Sequence, residues 1–167
     1  DGNVWQIRSD GIIVEPSDDT EVCYGNSIPF DPQITFQLNK TLSNDEFFKA
    51  ISDAFPDQNA IYAFRVDGDF DVMNVRSVPA QEEPYPPLSE VVKHQSVFPL
   101  QHVSGTMSGF WFPEWMQGVN YPGFHSHFIT DTRDAGGHVL NATTGNVSVS
   151  IQPVHQVTII LPDEKSY

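Results

Sequence analysis

The chain has 167 residues, the size of one domain and enough to bury a core without disulfide or metal staples. With 39% hydrophobic and 18% charged residues it is globular rather than disordered. A net charge of −14 with only eight Lys and Arg excludes the basic face that nucleic acid or an anionic membrane surface requires, and no apolar run is long enough to span a bilayer.

The opening stretch NVWQIRSDGIIVEP carries β-branched and aromatic residues around Asp10-Gly11, which predicts a hairpin. Cys23, the single cysteine, rules out an internal disulfide framework and reads as a small buried hydrophobe, since no basic group flanks it. PQITFQL predicts an extended piece. In LSNDEFFKAISDAFPD, Ser43 is set to cap a helix and Glu46 stands three residues on, the spacing of a capping box. Phe47, Phe48, Ile51, Ala54 and Phe55 recur at helical spacing, and Pro56 marks the stop. This is the main helix, near residues 43–55. AIYAFRV and DFDVMNVRSV flank Asp67-Gly68 and predict a second hairpin. PAQEEPYPPL is proline-rich and polar, a linker or excursion that marks a seam between two sheets near residues 79–87. LSEVVKHQ predicts two helical turns. Short β-type runs then follow at close spacing: VFPLQHV, GTMSGFWF, GFHSHFIT, GHVLN, NVSVSI and VHQVTIILP. The expected fold is α+β, mostly antiparallel or mixed sheet in two sheets or a partly closed barrel, within a single domain over residues 1–167.

The chemistry concentrates in YPGFHSHFITDTRDAGGHVL. On a strand, residues two apart share a face, so His125 and His127 project together while Ser126 points away. TDTRDAGG is rich in turn formers, and Gly136-Gly137 offers the positive φ of a tight reversal. Such a turn returns His138 on the neighbouring strand. Three imidazoles around an open position is the donor set of catalytic zinc, although Fe, Ni or Cu also accept it. The bland alternative is three polar positions on a strand face. Asp131 and Asp134 read as turn-forming side chains and Arg133 as a solvated tip residue. His94, His102 and His155 have no such spacing and read as surface or core residues. Arg76 shares a period-2 face with Phe70, Val72, Asn74 and Val78, where a cation needs an anion: a structural carboxylate or a substrate carboxylate gripped by the guanidinium fork.

Three glycosylation sequons begin at Asn39, Asn141 and Asn146, where nine asparagines give about one by chance. With the acidity, they point to a secreted glycoprotein, the alternative being cytoplasmic. Beginning at Asp1, the chain reads as a processed or trimmed form.

Three segments carry a family resemblance: RSV at Arg76–Val78 after GDF, GTMSGFWFPEW at Gly105–Trp115, and GVNYPGFHSHFITDTRDAGGHVL at Gly118–Leu140. Over nearly the whole chain they resemble the α-acetolactate decarboxylases. The resemblance implies a zinc ion held by His125, His127 and His138, a catalytic or substrate-binding arginine at Arg76, a homodimer, and conversion of 2-acetolactate to acetoin and CO2. In that chemistry the metal acts as Lewis acid and electron sink for an enediolate, and a nearby acid delivers the proton. The family's two active-site glutamates are expected to fall before Asp1 and beyond Tyr167. Glu15, Glu21 and Glu164 are the nearest carboxylates by chain position without motif support, and Glu114 is expected to be structural. Two other readings stand beside this one: a metal-binding but catalytically weak relative acting as a binding protein, and a cupin-type metalloenzyme. The cupin reading is disfavoured because cupins draw their last histidine from much further along the chain than His138.

Overall fold

The computed structural model describes residues 3–20, 24–82 and 84–160. Two short strands, β1 (Gln6–Ile7) and β2 (Ile13–Val14), pair antiparallel as the first hairpin. Its turn is held by the Asp10 side chain, whose Oδ1 accepts from Ile12 N at 3.1 Å. Cys23 and Glu21 lie outside the described residues, as does Glu164.

The larger sheet holds β3 (Ile34–Leu42), β4 (Ile61–Ser77), β5 (Ser96–Phe112), β6 (Gly123–Thr130) and β7 (Gly136–Val154), in the order β3-β7-β4-β5-β6. All its pairings are antiparallel. Because β6 also pairs with β7, strands β4 to β7 close into a ring, the partly closed barrel expected from the run of short β segments. The fold is α+β, with helix α1 (Asn44–Asp53) as its main helix.

That helix begins where the sequence places it. The Ser43 backbone N–H and hydroxyl both donate to Glu46 Oε2, at 3.0 and 2.6 Å, within a capping box. Phe47 and Ile51 are fully buried and join Phe64, Phe70, Met73, Met107, Phe128, Val149 and Ile151 in one core. Phe48 meets Phe124 of β6 with ring centroids 4.7 Å apart, so the helix packs on the face of β6 that carries Phe124, Ser126 and Phe128.

Three sequence expectations need correction. Asp67-Gly68 is not a turn: β4 runs unbroken through it and pairs with β5 from Tyr62↔Trp111 to Ser77↔Ser96. Gly68 has φ +141° there, and a Cβ would collide with the carbonyl oxygen of Asn146 on β7. The glycine lets two backbones approach instead of reversing one. Likewise VFPLQHV and GTMSGFWF fuse into β5, and GHVLN and NVSVSI into β7, because partners on both sides extend the ladders past the glycines. Finally, of the described part of VHQVTIILP only the first residue is strand. β7 ends at Val154, opposite Ile61, where β4 begins and the partner runs out.

The described residues of 78–87 contain no regular element, so the proline-rich excursion is as expected, although it joins two strands of one sheet. It leads into α2 (Leu88–Val91) and a 3₁₀ turn over Val92–His94. Among the described residues no helix is long and apolar enough to cross a membrane.

Candidate metal centre

Register decides which side chains share a face. His127 of β6 pairs with His138 of β7, and His138 pairs with Arg76 of β4. Directly opposed residues of adjacent strands point to the same side, and His125 lies two residues from His127. Three strands therefore present His125, His127, His138 and Arg76 on the outer face of the ring, opposite the buried Ser126 and Phe128. The ligating atoms of the three histidines all lie within 4.8 Å of one another. Their ring centroids are 5.0–5.5 Å apart.

The turn that returns the chain is built differently from expectation. Gly136 and Gly137 are already in β7, and the reversal runs over Asp131–Ala135 with Arg133 in the left-handed region at φ 60°. Buried Thr130 organises it: its Oγ1 accepts from the backbone N–H groups of Asp134 and Ala135, and Asp134 Oδ1 accepts from the Thr130 and Thr132 hydroxyls. Asp134 is thus a turn-forming residue, and these bonds hold its carboxyl below the usual range. Gly137 serves the closure of the ring: at φ +148°, a Cβ would sit 2.5 Å from the Arg76 carbonyl oxygen. Only glycine lets β7 contact β4 and β6 at once beside the site. Arg133 is exposed and lies over the Trp5 ring, 5.7 Å from its centroid.

All three imidazoles are held neutral. Burial, with the neighbouring His127, Arg76 and His125, lowers the pKa of His138 to about 3. Burial, then His125 and Arg76, lowers His127 to about 4, and His125 is lowered by burial and Arg76. His127 keeps solvent-exposed surface nonetheless. The protein atoms crowding its ring disfavour the cation, while the exposed part leaves a ligand access. Neutral nitrogens are what a transition metal coordinates, so this donor set fits a zinc-type ion.

The sequence places Arg76 on an apolar face, but register shifts between Gly68 and Val72 change the parity, and Met73 and Val75 become the buried positions. Arg76 is turned outward, half-buried, toward the histidines. Among the described residues it joins no salt bridge, and its Nη1 donates to Gln95 Oε1 at 2.7 Å.

Several neighbours carried no sequence signal. A pocket of about 180 Å³ opens beside His127, lined by Trp5 and Ile7 of the first hairpin and by Thr106, Ser108 and Ile129 of the ring. The hairpin is tied down by Ser77, whose hydroxyl donates to the Ile7 carbonyl at 2.7 Å. Tyr24 stacks nearly parallel to His125, with centroids 6.1 Å apart. Its hydroxyl donates to Asn120 Oδ1 and accepts from Asn26 Nδ2 at 2.9 Å. His94, His102 and His155 are exposed and outside the cluster, as are Glu15 and Glu114. Among the described residues no carboxylate joins the triad.

Fold and site together define a β-ring protein with a surface three-histidine centre beside a half-buried arginine. The family model of alpha-acetolactate decarboxylase matches residues 1–167, and the chain belongs to that family. It is 44% identical over 141 residues to the alpha-acetolactate decarboxylase of Methanosarcina mazei, which covers 84% of this chain and 49% of the relative. The chain thus spans about half the length of that protein. Among solved structures, it superposes with a TM-score of 0.89 on a Staphylococcus aureus protein described as similar to alpha-acetolactate decarboxylase, at 34% identity over 92% of this chain and 66% of the other. The acetolactate decarboxylase of Bacillus subtilis subspecies spizizenii superposes at 0.85, with 34% identity over 98% and 70% of the two chains.

Proposed function

We propose that this chain decarboxylates 2-acetolactate to acetoin and CO2, with zinc held by His125, His127 and His138. The observation that carries the reading is the convergence, on one face of the ring and next to a pocket, of three neutral imidazoles and a guanidinium that has no carboxylate partner among the described residues. Family membership supports the same chemistry. When bound there, zinc supplies Lewis acidity to the substrate's hydroxyl and ketone oxygens.

The rest falls to the chain's own residues. Arg76 holds the substrate carboxylate through its N–H fork, adjacent to the bond that breaks as CO2 leaves. That electron pair passes toward the neighbouring ketone, and a proton is taken up at the carbon that lost CO2. Trp5, Ile7 and Ile129 give the pocket beside His127 apolar surface, which lowers the polarity on that side of the site. The low pKa values keep the three imidazoles available as donors at neutral pH. The same proposal treats residues 1–167 as a single domain, supported by the continuous core joining α1 to strands of the ring.

Acetoin release and metal content, measured together on this chain, test the reading. Turnover that rises with bound zinc is expected. Full zinc occupancy without turnover would overturn it in favour of a metal-binding protein. Arg76→Ala should retain zinc and lose turnover, on the order of 100-fold for a charge-assisted contact. A near wild-type rate would remove Arg76 from the mechanism.

A further inference from the structure

We infer that Gln95 is a positioning residue for Arg76: it fixes the guanidinium beside the histidines through a neutral acceptor and so leaves its charge available to an anionic ligand. The inference rests on the proposed anion-binding role of Arg76.

Geometry supplies the first argument. Arg76 pairs with Val97 of β5, and Gln95 lies two residues before Val97, so its side chain shares that face and reaches Arg76 on the diagonal. The 2.7 Å bond is half-buried. A guanidinium offers only donors, so the amide must meet it through its carbonyl oxygen. Gln95 also ends the 3₁₀ turn over Val92–His94, and its backbone N–H donates to the Val92 carbonyl at 3.3 Å. The acceptor is therefore anchored at its own backbone.

Charge supplies the second. The chain has 22 Asp and Glu against eight Lys and Arg, so a carboxylate partner for any arginine is easy to come by. Arg65 has one in Asp67, with Nε to Oδ2 at 2.7 Å and Nη2 to Oδ1 at 2.8 Å. Among the described residues Arg76, on the same strand, meets an uncharged amide instead. A carboxylate at position 95 would form the bidentate pair seen at Arg65 and cancel the charge that an incoming carboxylate needs.

The test uses the zinc-loaded chain and 2-hydroxy-2-methylpropanoate, a branched 2-hydroxy acid whose lack of a ketone prevents turnover. Its affinity is measured by calorimetry for wild type, Gln95→Met, Arg76→Ala and the double variant, with zinc content checked in each. Gln95→Met should weaken binding about tenfold, the scale of one hydrogen bond to a charged group. The same change should add nothing in the Arg76→Ala background. Gln95→Glu, the isosteric variant to use if Gln95→Met does not fold, should weaken binding at least as much by neutralising the guanidinium. Wild-type affinity in either Gln95 variant overturns the inference. So does an equal loss from Gln95→Met with and without Arg76, and so does a wild-type chain that does not bind the acid. Acid binding with the expected coupling but no acetoin from 2-acetolactate would instead leave Gln95 in place and remove the decarboxylase reading.

Discussion

Along β6 successive side chains enter two different environments. Phe124, Ser126 and Phe128 face the interior of the ring, where Phe128 packs edge-on against Phe70 with centroids 5.3 Å apart. His125 and His127 face outward and meet His138 across the β6–β7 ladder. One side is a packed apolar core that holds the strand in place, and the other is a set of polar groups that gain little from packing. The division is enforced by parity, since a slip of one residue in register would exchange the two sets completely. The inner face thus sets the position of the outer one without contributing an atom to it.

Substitutions on the two faces should therefore fail in different ways. His138→Ala should release most of the zinc and abolish turnover while leaving urea-denaturation stability within about 1 kcal/mol of wild type, as expected for a position outside the core. Metal analysis showing unchanged zinc in both His125→Ala and His138→Ala would refute the centre. Phe128→Ala, one residue from His127, should instead cost about 3–5 kcal/mol by opening a cavity in the ring. Whatever fraction stays folded should still bind zinc. Gly137→Ala probes the point where the faces meet. Strain at positive φ and the approach to the Arg76 carbonyl oxygen should cost about 2 kcal/mol. Because the displaced strand carries His138, zinc affinity should fall with stability, a joint loss that neither single-face substitution produces.

The same division was only partly legible in the sequence. The capping box, the HxH parity and the hairpin returning His138 are local, set by residues a few positions apart, and could be read directly. The continuity of β4 through Asp67-Gly68 was not, because glycine chemistry is the same whether a chain reverses or lets another strand pass close by. Only the presence of β7 decides between the two. Strand alternation puts Arg76 on the wrong face for a related reason: bulges between Gly68 and Val72 shift the parity, and they belong to the pairing rather than to the strand. Gln95 and Tyr24 were invisible, since ordinary residues become part of a site only through distant register.

In the metal-free protein the outer face should also set a dependence on acid. The folded pKa values of His127 and His138, about 4 and about 3, lie below the ordinary histidine value of 6.5. Between those values the unfolded chain binds more protons than the folded one, so unfolding becomes easier as pH falls. Stability should be fully present above about pH 6.5 and decline toward pH 4. The decline should shrink in His138→Ala. Denaturation midpoints at several pH values check this, and a flat profile in the wild-type chain would show that the imidazoles are not held neutral by the fold.

The smallest effect belongs to the inner face. Ser43 is not part of the histidine cluster, yet it begins the helix whose Phe47 and Ile51 fill the core and whose Phe48 lies against Phe124. Ser43→Ala removes the hydroxyl that donates to Glu46 and should cost about 1 kcal/mol, the usual value of an N-cap. Zinc content should not change, because a uniformly weaker core leaves register intact until it unfolds. A stability loss of that size accompanied by loss of zinc would mean that α1 steers β6 as well as covering it. The separation of the two faces along that strand would then be less complete than the ladder alone suggests.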